Sequence, residues 1–69
     1  MADVALRNRL KEARAELGLT QAKLAARVSV SRKTINTVEN GVFVPSTLLA
    51  IALAAALGRK VEDLFHFEV

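Results

Sequence analysis

Arg32, Lys33, Thr34, Asn36 and Thr37 fall within six consecutive positions of a segment that reads SRKTINTVENG. They bring two cations, two hydroxyls and an amide together, and Ile35 and Val38 lie among them at helical spacing. On a helix that spacing turns the two apolar residues to one side and leaves a polar face outward. Cations oppose the helix dipole in a first turn, so Arg32 and Lys33 are poorly explained as ordinary solvated charge. The chemistry on offer is charge recognition and hydrogen bonding to a polar, anionic surface. Catalysis is not expected: no Ser/His/Asp order, glycine-rich phosphate loop or pair of acids in a cleft is recognisable. Glu62 and Asp63 open a short helical turn, where acids serve the dipole.

A chain of 69 residues is read as one domain spanning 1–69, and at this size a core is marginal. Cysteine is absent, so no disulfide stiffens it, and the single histidine, His66, has no cysteine to share a metal. No metal or other cofactor is expected, and His66 reads as a surface residue. With 52% hydrophobic residues the chain has more apolar surface than so small a domain hides easily, a first hint of a dimer. No signal-peptide pattern opens it, and the apolar run over 48–57 is too short to span a bilayer. A soluble, cytoplasmic protein is expected. The net charge of +3 favours anionic partners only weakly. Distribution says more, since positions 21–40 hold Lys23, Arg27, Arg32 and Lys33 against the lone acid Glu39.

Gly18, Gly41, Pro45 and Gly58 divide the chain into short helical pieces. Leu10, Ala13 and Leu17 share one face of a first helix that Gly18 ends. Thr20 caps a second, with Leu24, Ala25 and Val28 on its stripe, and Ser31 caps the third, which Asn40 and Gly41 stop. Ser46 caps the most apolar helix, Thr47–Leu57, and a brief turn follows from Val61 to Leu64. The end changes period: Phe65, Phe67 and Val69 alternate with His66 and Glu68, the repeat of a half-buried strand. Residues 3–7, where Val4 and Leu6 alternate with smaller or polar neighbours, are expected to pair with it. The competing reading starts the first helix at Asp3, because Leu6, Leu10, Ala13 and Leu17 also keep helical spacing.

Only Ser29 and Val30 join the second and third helices, which forces a steep crossing, as in a helix-turn-helix over about 20–40. Ala25 is small where the helices meet, Val30 plugs the turn, and Leu24, Val28, Ile35 and Val38 face a common core. The outward face of the third helix then fits a DNA major groove. At this level of detail TQAKLAARVSVSRKTINTVENG resembles the helix-turn-helix of the XRE/Cro family of prokaryotic and phage repressors, with a lambda-repressor-like fold. Arg14, the LTQ entry at Leu19, Thr20 and Gln21, the ENG after the third helix, the PS before the fourth and ALG…VEDLF all match in order.

The resemblance implies an all-α, five-helix domain, with the terminal strands forming a small sheet at a dimer interface. It implies a DNA-binding transcriptional regulator that recognises double-stranded DNA through the helix after Ser31. Gln21 then meets phosphate, Arg32, Lys33 and Thr37 read bases, and Thr34 and Asn36 flank them. Ser31 and Asn40 join the phosphate contacts, and Asn36 the base contacts. Arginine or lysine pairs best with guanine, so a G in each half-site is expected. Arg14 and Glu39 correspond to a structural salt bridge of the family. Val4, Leu6, Phe65, Phe67 and Val69 are the expected dimer seam, holding two helices one DNA turn apart on an inverted repeat.

Two departures stand out. Ser29 replaces the usual glycine of the turn and has to accept a left-handed backbone. Val42 and Val44 replace basic or polar residues, leaving that loop only its N–H groups for phosphate and exposing Val42, Phe43 and Val44 to a possible protein partner. A repressor that works without a small-molecule effector pocket is the first expectation; the second is an antitoxin-like interaction module with accessory DNA binding.

Overall fold

The computed structural model describes residues 5–68. Strand β1 (Ala5–Asn8) leads into α1 (Leu10–Glu16), α2 (Gln21–Arg27), α3 (Arg32–Glu39), α4 (Thr47–Leu57), α5 (Val61–Leu64) and β2 (Phe65–Glu68). The N-terminal segment is therefore a strand and not the start of α1, and it runs to Asn8, one residue past the expected end at 7. The strands pair antiparallel, Leu6 opposite Phe67 and Asn8 opposite Phe65. A two-stranded ribbon is marginal alone. Here it is fastened to the helices by Asn8, whose Nδ2 donates to the Val38 carbonyl at 3.0 Å, and by the Arg9 N–H, which donates to the Leu64 carbonyl at 2.8 Å.

Caps fix where the helices start. The hydroxyls of Thr20, Ser31 and Ser46 accept N–H bonds from Lys23, Thr34 and Leu49, each at 3.1 Å. A common device ends them. At α1 the Leu19 N–H donates to Arg14 O at 3.1 Å and the Gly18 N–H to Ala15 O at 2.9 Å, a Schellman pair that needs positive φ at the residue between helix and exit. The same bonds recur at Val30 on Ala25 O, Val42 on Thr37 O and Arg59 on Ala54 O. Glycine occupies the left-handed position at three of these ends; Ser29, φ 59°, occupies it after α2.

Leu10, Ala13, Leu19, Leu24, Ala25, Ile35, Val38, Leu53, Ala54, Leu57 and Leu64 make the core, with Val28, Val30 and Phe65 packed against it. Leu17 departs from its expected place on the buried face of α1, being 53% exposed. Its helix ends there, and the left-handed turn at Gly18 swings Leu19 inward instead. Phe65 serves its own chain's core, while Phe67, two residues further along the same strand, is 64% exposed. Val4 and Val69 of the expected seam lie outside the described residues. Among the described residues, no helix is long and apolar enough to cross a membrane.

Candidate nucleic-acid interface

Two short helices set the site. Two residues between Val28 and Ser31 turn the chain sharply, and Ala25 and Leu24 of α2 pack with Ile35 and Val38 of α3. With those two residues buried, Arg32, Lys33 and Asn36 are left exposed and Thr34 and Thr37 half-exposed. Arg32 and Lys33 line a groove with Gln21 and Asn36. Among the described residues, neither cation has an ion-pair partner.

The polar side chains around them are pre-arranged. Ser31 and Thr34 share a hydroxyl bond of 3.0 Å, the Thr37 hydroxyl donates to Thr34 O at 2.9 Å, and Asn40 Nδ2 donates to Asn36 Oδ1 at 3.1 Å. Each of these residues stands on the same helix or its ends, so α3 brings together Ser31, Arg32, Lys33, Thr34, Asn36, Thr37 and Asn40. Gln21 joins them from α2, but its Nε2 donates to Glu39 Oε1 at 3.1 Å. Its side chain therefore works in the scaffold as well as at the groove, a contact that helical spacing could not show because it crosses between elements.

Behind the groove, Arg14 ties α1 to α3 and to the turn before α2. Its Nε donates to Glu39 Oε2 at 2.6 Å, Nη2 to Glu39 Oε1 at 3.2 Å and Nη1 to the Leu19 carbonyl at 2.8 Å. The side chains are 14% and 3% exposed, so the pair is shielded from solvent screening. The hydrogen bond to Glu39 holds the Arg14 guanidinium above its ordinary value, against the lowering effect of burial. Because the folded value is the higher one, Arg14's contribution is complete below the ordinary arginine range and is lost only as pH climbs through the folded value.

The loop after α3 differs from expectation. The N–H groups of Val42 and Phe43 both donate to Thr37 O, at 3.0 and 3.2 Å, so the donors expected to remain for phosphate are engaged in ending the helix. Sequence inspection also missed the outer side of α4, where Leu48 and Ile51 are exposed. An almost uniformly apolar helix gives no periodic signal of which side meets solvent.

The family model described as helix-turn-helix matches residues 10–64, from the first helix to the last. The chain belongs to the XRE-type helix-turn-helix family of DNA-binding transcriptional regulators. Among its relatives, the HTH-type transcriptional regulator YgzD of Bacillus subtilis is 43% identical over 63 residues, covering 91% of this chain and 96% of its own length. An HTH-type regulator of Methanothermobacter thermautotrophicus is 51% identical over 61 residues, covering 87% of this chain and 88% of its own. The restriction-modification controller protein C.AhdI of Aeromonas hydrophila shares the fold with a TM-score of 0.76 and 33% identity, over 80% of this chain and 83% of that one. Within the family frame α2 and α3 are the helix-turn-helix, and the cationic groove is its outward side.

Proposed function

We propose that this regulator is a cytoplasmic repressor that binds an inverted-repeat operator as a homodimer, with α3 in the major groove. The supporting observation is the pair of exposed cations, Arg32 and Lys33, on the first turn of a helix whose other side is locked into the core. A polyanion with acceptors at its base edges relieves the dipole penalty of that placement and uses both donors. Arg32, Lys33, Thr37 and Asn36 read bases, and Ser31, Thr34, Asn40 and Gln21 hold the backbone. Leu6 and Phe67, opposite one another on the ribbon, give the dimer its apolar seam. Among the described residues the sheet has two strands, so strand pairing across a twofold axis would extend it at an outer edge.

Selection of bound sequences from a random DNA pool tests the reading. The expected product is an inverted repeat with half-sites centred about 10 base pairs apart and a guanine in each. Affinity for it should exceed that for random DNA by about a thousandfold or more and fall steeply with salt. A pool without an enriched repeat, together with salt-dependent binding equal on all sequences, refutes it.

A further inference from the structure

An asparagine followed by glycine is well placed to react with its own backbone, because glycine has no Cβ to shield its nitrogen and its backbone rotates freely. Of the three asparagines, Asn8 precedes Arg9 and Asn36 precedes β-branched Thr37, and only Asn40 precedes a glycine. That pair stands at the exit of α3, with Asn40 exposed. The fold ties down both reacting groups. The Gly41 N–H donates to the Val38 carbonyl at 3.1 Å, and Asn40 Nδ2 donates to Asn36 Oδ1 at 3.1 Å. Asn40 also rests at ψ 3°, whereas closing a five-membered ring through Cβ, Cγ and the Gly41 nitrogen needs a large rotation about that bond.

We propose that Asn40 is a site of spontaneous deamidation, restrained by these two hydrogen bonds, and that its conversion weakens DNA binding by α3. The Gly41 nitrogen attacks Asn40 Cγ, a C–N bond forms, and the side-chain nitrogen leaves as ammonia with the proton that Gly41 gives up. Water then opens the succinimide at one of its two carbonyls, leaving aspartate or isoaspartate. Either product places a carboxylate at the negative end of the α3 dipole, next to Glu39 in the chain. Isoaspartate also adds a carbon to the main chain, which displaces Gly41 from Val38 O and, beyond it, Val42 and Phe43 from Thr37 O. The chemistry needs this chain and water alone; the effect on DNA rests on α3 being the recognition helix, with Asn40 against phosphate.

The test incubates the protein at mildly alkaline pH and reads the small mass gain of amide-to-acid conversion on the peptide that holds Asn40. Conversion should be faster in guanidinium chloride than in the folded chain. Asn36→Ala should raise the folded rate roughly two- to fivefold, the worth of one exposed hydrogen bond. Asn36 is exposed, so this variant should fold, with an unchanged thermal transition as the check. Asn40→Gln should abolish the conversion. Equal rates in folded and unfolded chains, or an Asn36→Ala rate equal to wild type, overturn the restraint; an unfolded chain that converts at Asn8 or Asn36 but not at Asn40 overturns the site. Asn40→Asp, the product made directly, should bind operator and random DNA roughly fivefold or more weakly. If it binds as wild type does while Lys33→Ala still relaxes a base preference, the effect on DNA falls and the recognition helix stands. If Lys33→Ala changes no base preference either, the reading of α3 falls with it, and the conversion rates alone decide the site.

Discussion

Ser29 sits at φ 59°, where the three other helix exits have glycine. A side chain in that region costs about 1–2 kcal/mol, partly offset because glycine loses more entropy on folding. Ser29→Gly should therefore stabilise the protein by about 0.5–1 kcal/mol, read as a higher urea midpoint with an unchanged slope. Glu39 is the opposite case, since Arg14 and Gln21 both donate to its carboxylate. Glu39→Ala strands a largely buried guanidinium and should cost on the order of 3 kcal/mol. Circular dichroism during urea unfolding measures it, and a loss under 1 kcal/mol would show the pair to be ornamental to stability. Lys33→Ala should relax preference at one base per half-site, whereas Gln21→Ala should weaken all sequences alike and also lower stability through Glu39.

The elements depend on how closely α2 and α3 approach. Ala25 is buried between them with Ile35 nearby in the core, so Ala25→Leu adds volume where none is free. The cost should be about 1–3 kcal/mol, and the altered crossing should lower operator affinity more than random-DNA affinity. Much at this scale was legible in the sequence, because Thr20, Ser31, Ser46 and the glycines act through bonds to residues three to five positions away. Leu17 misled for the same local reason: helical spacing extends its face by one turn, and only the reversal at Gly18 hands the core position to Leu19. The register of β1 on β2, and the link from Gln21 to Glu39, join residues distant in sequence and left no periodic mark. On α3 the outward face was legible because Ile35 and Val38 contrast with their neighbours; on α4 nothing contrasts.

At the scale of the whole molecule, the apolar surface that faces outward among the described residues includes Phe67 on the ribbon, with half-buried Leu6 opposite it, Leu48 with Ile51 on α4, and Val42 to Val44 in the loop after α3. The ribbon is the proposed seam, so Phe67→Asp should give monomers in sedimentation velocity and reduce operator binding, while Ile51→Asp should remain dimeric. The reverse pattern moves the seam to α4. The longest dimension of one chain is 34 Å, of the same order as the roughly 34 Å between half-sites in the proposed dimer.

Asn8 gives that arrangement a mechanical side. Through one amide it clips the first strand to the final turn of α3, so a partner seated on the proposed terminal seam would also bear on the helix proposed to meet DNA.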